Sequence, residues 1–122
     1  TKELFFSGAR FSLWHANGEE TTEIKGDRAS LGYRRYPPNT KFNDISVRFG
    51  NGSTFYMTTD GLIDQIGGPR RRSFGRKRFQ AFIEENSGRP MDAQSNNLLE
   101  VLAMHQGNEV RRDDLTVLGF VP

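Results

Sequence analysis

Apolar and polar residues alternate through the first half of the chain, which is the pattern of strands that bury one face. In residues 45–49, three apolar side chains alternate with Ser46 and Arg48. Further strand-like segments, rich in β-branched and aromatic residues, lie at residues 4–6, 11–15, 21–24 and 54–58. The first half of the chain is therefore predicted to form four or five strands.

Two turn signals predict how these strands are connected. Asn17-Gly18 stands between the second and third segments and predicts a hairpin. Gly50-Asn51-Gly52 stands between residues 45–49 and 54–58 and predicts a second hairpin. Both connections indicate antiparallel pairing.

The apolar period becomes helical after Gly67-Gly68-Pro69. Phe79, Phe82 and Ile83 fall on one helical face, and the pattern stops at residues 86–88, Asn-Ser-Gly, which favour a helix C-cap. The sequence therefore predicts one helix that packs its aromatic face against the strands.

A second helix is predicted from near Asp92 to Gln106, followed by a last strand at residues 116–121. Its predicted inner face consists of Ser95, Leu98, Leu99 and Leu102. Strands, then two helices, then one strand indicate an α+β fold of antiparallel β-sheet layers flanked by helices.

Composition narrows the class of protein. The 122 residues suffice for one domain, and a hydrophobic fraction of 34% with ten Phe can form a packed core. The absence of Cys excludes a disulfide framework, a thiolate nucleophile and a zinc–thiolate site. With no run near the roughly 20 apolar residues of a membrane span, a soluble and cytoplasmic chain is expected. The lack of an initiator Met suggests a piece of a longer protein.

The charge is unevenly distributed. Residues 70–78 hold six of the 17 basic residues and no acid, which leaves 11 basic against 15 acidic residues elsewhere. Such a cluster could attract phosphate on a protein or on a nucleic acid. The alternative is a solvated loop and first helical turn, because runs of charge usually face water.

Two acidic motifs lie next to predicted strands. The strand at residues 54–58 leads into Asp60-Gly61, and Asp113-Asp114 precedes the last strand. Carboxylates at two strand ends suit Mg²⁺ or Mn²⁺, which can lower the pKa of a bound water and polarise a phosphoryl oxygen. Gly61 would let the backbone turn sharply or pass close to an ion. The alternative is an ordinary Asp-Gly turn and a capping Asp.

These motifs resemble those of a known family. Residues 58–64, Thr-Thr-Asp-Gly-Leu-Ile-Asp, resemble the T/S-D-G-L-x-D/E motif of the PPM (PP2C-type) protein phosphatases. Residues 112–116, Arg-Asp-Asp-Leu-Thr, resemble the D-D-[IL]-T signature of the bacterial SpoIIE/RsbU branch. Residues 6–9, 26–32 and 67–75 add weaker similarity, so the resemblance extends in order along essentially the whole chain.

The resemblance implies a PP2C-like β-sandwich and the dephosphorylation of phosphoserine or phosphothreonine by a metal-activated water. It places Asp60 and Asp113 among the ligands of a two-metal Mn²⁺ or Mg²⁺ centre, with Gly61 and Asp114 in support. It implies no catalytic group besides the metal ligands.

The resemblance also implies that the centre is incomplete. Residues 1–122 match the C-terminal portion of a single phosphatase domain, whose N-terminal half would supply a further Asp-Gly and more acidic ligands. Arg10-Phe11 stands where many relatives have Gly-His. Because the ligands of that N-terminal half are missing, the chain alone is expected to be inactive. Because half a sheet leaves an unpaired edge, the chain should associate with the missing half or with a second copy.

By family analogy the substrate is a phosphorylated STAS-domain antagonist of a bacterial partner-switching pathway, and the parent protein carries N-terminal sensory or membrane modules. Arg70, Arg71 and Arg72 are the predicted substrate-recognition residues. One alternative is a non-catalytic phosphoprotein-binding module, or pseudophosphatase. A nucleic-acid-binding domain is not expected, because the basic segment has no interleaved aromatic residue beyond Phe74.

Overall fold

A computed structural model describes residues 2–8, 11–26, 45–111 and 114–122. The described strands are β1 (Lys2–Phe6), β2 (Ser12–Ala16), β3 (Thr21–Lys25), β4 (Ile45–Phe49), β5 (Thr54–Thr58), β6 (Ile66–Gly67), β7 (Arg72–Ser73) and β8 (Val117–Phe120). The helices are α1 (Asp60–Ile63), α2 (Gly75–Asn86) and α3 (Met91–Gln106). Of these helices, none is both long and apolar enough to cross a bilayer.

The main sheet is antiparallel and has the strand order β3-β2-β5-β8. The predicted hairpin between β2 and β3 is confirmed, with His15 opposite Thr22. Its turn is closed by the side chain of Asn17, whose Oδ1 accepts hydrogen bonds from the backbone N–H groups of Glu19 and Glu20 at 3.0 Å. Gly18 provides the positive φ of 96° that this turn requires.

The second predicted hairpin is wrong. β4 pairs with β1 in a separate two-stranded sheet, whereas β5 lies between β2 and β8. The turn at residues 50–53 therefore carries the chain from one sheet to the other. Phe49 and Phe55 meet across the two layers, with ring centroids 5.5 Å apart in an edge-to-face arrangement. The turn signal predicted the reversal of the chain correctly, but it could not specify which strands would pair.

The core has two parts, one on each face of the main sheet. Between the sheets lie Phe6, Leu13, Phe49 and Phe55. On the opposite face, aromatic and aliphatic side chains of α1, α2 and α3 pack against Trp14 and Tyr56. The described residues thus form sheet, sheet and helix layers, which confirms the predicted α+β class.

Helix α2 buries Phe79, Phe82 and Ile83, as its periodicity predicted. The predicted inner face of α3 is partly wrong. Leu98 and Leu102 face the core, but Ser95 is exposed and Leu99 is 60% exposed.

The polar side chain of Gln94 takes the inner position on α3 and is only 4% exposed. The hydroxyl of Tyr56 donates to Gln94 Oε1 at 2.6 Å, and Gln94 Nε2 donates to the Arg89 carbonyl at 2.8 Å. A polar residue can be buried when its hydrogen bonds are satisfied, so hydrophobicity alone misassigned this face. Burial raises the pKa of Tyr56, while the bond to Gln94 acts in the opposite direction.

Candidate metal and phosphate site

The two acidic motifs meet at one end of the main sheet. β5 and β8 pair up to Thr58 and Val117, and the Thr59 N–H continues the ladder by donating to the Thr116 carbonyl at 3.0 Å. The Thr59 hydroxyl accepts from the Thr116 N–H at 3.0 Å and lies 3.3 Å from the Asp114 carbonyl, to which it donates. The residue before Asp60 is thereby fixed to the segment that contains Asp114.

Gly61 brings the backbones of these motifs into direct contact. It is buried, and a Cβ built on it would overlap the carbonyl oxygen of Asp114 and lie 2.9 Å from that residue's carbonyl carbon. Any side chain at this position would push the two segments apart. Only glycine allows the contact, so the Asp-Gly motif has a packing requirement that is independent of any bound ion.

Asp60 is exposed at the first position of α1, one residue beyond Thr59 and not on the strand itself. Leu62 anchors α1, because its side chain is completely buried in the part of the core between the main sheet and the helices. Asp114 is also exposed. Asp113 lies outside the described residues, and so do residues 27–32, which belong to the weaker family motif at residues 26–32. The structure therefore presents the Asp60 carboxylate to solvent from a rigid support.

The chemistry of this donor set fits a hard divalent ion. Asp60 offers an exposed carboxylate, and Gly61 brings its backbone against that of Asp114. Carboxylate oxygens are the ligands that Mg²⁺ and Mn²⁺ prefer. Across the ranges that the structure describes, no three His, Asp or Glu side chains form a group that could hold an ion. The described residues can therefore supply only part of the ligands that a metal ion would need.

The basic residues lie on a short segment that follows α1, residues 66–78, which consists of β6, β7 and the first turn of α2 and forms an arm. Arg70 and Arg71 are in the turn between β6 and β7, Arg72 is in β7, and residues 76–78 form the first turn of α2. All of the basic side chains here are exposed. The alternative of a solvated loop and first helical turn agrees with this placement. The β6–β7 pair was not predicted.

Half of these cations already have partners. Arg71 forms an ion pair with Glu109, and Arg76 forms one with Glu23. The Nη1 atom of Arg78 lies 2.6 Å from His105 Nδ1. Glu109 raises the pKa of Arg71, first through the hydrogen bond and then through its charge. Within the described part of the chain, Arg70, Arg72 and Lys77 have no ion pair. The three predicted recognition residues are therefore not equivalent, because Arg71 is engaged and its two neighbours are not.

Gln65 fixes the arm to the end of α3, a role that the sequence analysis missed. Its carbonyl accepts from the Phe74 N–H at 2.8 Å and from His105 Nε2 at 2.9 Å, and its side chain donates to the Val110 carbonyl at 3.3 Å. Gln65 is only 2% exposed. A polar residue two positions after the short helix α1 was the only sequence signal, and many exposed residues share it.

The other histidine belongs to the sheet. His15 stacks on Phe55 with ring centroids 4.6 Å apart, and its Nε2 lies 2.9 Å from Ser53 Oγ. Burial lowers the pKa of His15. This agrees with the strand predicted at residues 11–15.

Comparisons with known proteins agree with this arrangement. The family model for Stage II sporulation protein E (SpoIIE) matches residues 7–120. The solved structure of the SiaA-PP2C domain of Pseudomonas aeruginosa is 37% identical, with a TM-score of 0.87 over 97% of this chain. This chain spans 45% of the length of that structure. A search of curated proteins gives no significant match.

The matched region contains both acidic motifs, the arm and both long helices. The structural similarity confirms the predicted PP2C-type fold. The chain belongs to the SpoIIE family of PP2C-type protein phosphatases.

Proposed function

We propose that this chain is part of a Mn²⁺- or Mg²⁺-dependent serine/threonine protein phosphatase, in which Asp60 and Asp113 bind metal. The observation that carries the proposal is the contact between Gly61 and the Asp114 backbone. This contact joins two acidic motifs that are far apart in sequence and leaves the Asp60 carboxylate exposed beside them.

Each described residue of the site has a defined task in this proposal. Asp60 binds metal through its exposed carboxylate, Thr59 fixes the position of Asp60, and Gly61 and Asp114 set the spacing of the two segments. Divalent ions bound there would supply a water of lowered pKa and charge stabilisation for the phosphoryl group. The rigid attachment of Thr59 to Thr116 keeps the ligand oxygens in place without reorganisation.

The remaining ligands are proposed to come from sequence outside this chain, which spans 45% of the related SiaA-PP2C structure. Strands β3 and β8 end the main sheet as described, and Leu118 on β8 is 54% exposed. An open, partly apolar sheet edge favours pairing with another strand. We propose that the preceding half of the domain, or a second copy of this chain, pairs here.

The proposed substrate is a phosphorylated protein, of the STAS-domain antagonist type. Arg70 and Arg72 support this proposal, because both are exposed and neither has an ion pair within the described residues. Arginine binds phosphate and carboxylate oxygens through two parallel hydrogen bonds. We also propose a cytoplasmic location, with which the absence of Cys is compatible.

Metal removal tests the proposed activity. The complete phosphatase domain, stripped with a chelator, should lose turnover of a phosphoserine peptide and regain it on addition of Mn²⁺ or Mg²⁺. The 122-residue chain alone should give no turnover under the same conditions. Turnover by the stripped domain would exclude the metal-dependent mechanism. Peptide binding without turnover at any metal concentration would favour the pseudophosphatase.

A further inference from the structure

Arg71 has an unusual backbone in the turn between β6 and β7. Its φ of 51° makes it the one non-glycine residue with a positive φ among the residues that the structure describes. Its N–H donates to the Gly68 carbonyl at 3.1 Å. A non-glycine residue persists in this conformation only where its surroundings hold it there, so the contacts of its side chain are informative.

The Arg71 side chain forms a two-point ion pair with Glu109. Nε lies 2.6 Å from Oε1, and Nη2 lies 3.2 Å from Oε2. This paired geometry fixes the orientation of both groups as well as their distance. The arm that follows α1 is thereby connected to the segment that follows α3.

Glu109 belongs to a segment that is fixed on the side nearest α3. Its N–H donates to the Gln106 carbonyl at 2.9 Å, and its carbonyl accepts from Gln106 Nε2 at 2.8 Å. The next residue, Val110, accepts the hydrogen bond from Gln65. On the other side, Asp114 is held by Thr59 and by the close packing of Gly61. Asp113 lies between these two anchors in the sequence.

We propose that Arg71 is a positioning residue of the metal centre, acting through Glu109 on the segment that contains Asp113. The inference rests on the proposed function. It assigns Arg71 a task different from that of Arg70 and Arg72, which remain available for a phosphorylated partner. Releasing Arg71 from Glu109 would loosen one of the two anchors and so weaken metal binding without removing a ligand.

The sign of the effect separates this idea from simple electrostatics. If Arg71 acts only through its charge, removing this cation should strengthen Mn²⁺ binding or leave it unchanged, because like charges repel. Loss of a positioning contact should weaken it. The two explanations therefore predict different outcomes for the same substitution.

The experiment is a titration of Mn²⁺ alone into the complete phosphatase domain, with free Mn²⁺ followed by electron paramagnetic resonance. Arg71→Asn removes the guanidinium and retains a residue that tolerates positive φ. We expect Mn²⁺ binding to weaken about two- to five-fold, the range that an exposed ion pair can transmit. Glu109→Gln should weaken it as well.

Arg70→Asn is the matched control, because it removes the same charge from the adjacent, unpaired residue; it should leave Mn²⁺ binding unchanged or slightly stronger. The charge-swapped double variant Arg71→Glu/Glu109→Arg should recover most of the lost affinity. Binding that is unchanged or stronger in Arg71→Asn, or a double variant weaker than both single ones, would overturn the positioning role. No Mn²⁺ binding by the unmodified domain would instead overturn the proposed function.

Discussion

At the scale of single residues, the site depends on one close backbone contact. The sequence predicted that Gly61 would allow a sharp turn or a close approach to an ion, whereas the structure shows a close approach to the Asp114 carbonyl. A glycine in a sequence can mark a position where a Cβ atom would not fit. The neighbour that occupies this space comes from a distant segment, so only the fold could identify it.

Replacing Gly61 with alanine tests the importance of this contact. The new methyl group would overlap backbone atoms, which cannot move aside as a flexible side chain can. We expect Gly61→Ala to lower the free energy of unfolding by about 1–3 kcal/mol, the usual cost of overpacking. Mn²⁺ binding by the complete domain should weaken at the same time, because the two motifs separate.

Gly50→Ala is the matched control. Gly50 is exposed in a turn and has open space around a Cβ. Its substitution should change stability by no more than about 0.5 kcal/mol. Equal effects of the two substitutions in denaturant titrations would mean that the Gly61 contact does not hold the motifs together.

At the scale of elements, the sequence predicted strand and helix positions well and their partners less well. Periodicity located β4 and α2, because each has one apolar face, and Asn17-Gly18 located the turn after β2. In β5, residues 54–56 are all buried, since one face meets the second sheet and the other meets the helices. A strand buried on both faces fits the observed position of β5 between β2 and β8, inside the main sheet.

The arm of β6 and β7 was not predicted, because two-residue strands have no detectable period. Its location follows instead from the contacts of Gln65 and from close packing of Gly67 on the His105 backbone. The basic residues are thus displayed on a fixed support. Their availability to a partner differs from residue to residue, which composition alone could not reveal.

The unpaired arginines of the arm should act on a protein substrate more than on a small one. Arg70→Ser/Arg72→Ser should raise KM for a phosphoprotein about tenfold at low ionic strength, because charge steering favours encounter with a large acidic partner. Hydrolysis of a small aryl phosphate should be nearly unchanged. The difference should shrink as salt is added, since exposed charges are screened.

The double variant Arg48→Ser/Arg89→Ser removes the same charge from exposed positions on β4 and after α2. It should leave KM for both substrates unaffected. Equal losses on both substrates in the arm variant would place Arg70 and Arg72 at the reacting centre. No loss on either substrate would favour the solvated-loop interpretation.

At the scale of the whole molecule, antiparallel pairing brings the C-terminal end of β5 and the N-terminal end of β8 to the same end of the main sheet. The sequence predicted that two acidic motifs stood next to strands, and the resemblance predicted that they act together. Neither could supply the pairing of Thr59 with Thr116 that joins them. Asp113 lies outside the described residues, so its ligand role stays a prediction.

The central claim is that the Asp60 carboxylate binds the metal that phosphate hydrolysis requires. The most direct measurement is Mn²⁺ binding and phosphoserine-peptide turnover by the complete domain with Asp60→Asn, which keeps the shape of the side chain and removes its charge. Asp92→Asn, at another exposed helix start, is the matched control.

We predict that Asp60→Asn lowers turnover by about 10²-fold or more and weakens Mn²⁺ binding, with little change in Tm because Asp60 is exposed. The control should retain both properties. An Asp60→Asn domain with the Mn²⁺ affinity and turnover of the unmodified domain would contradict the account.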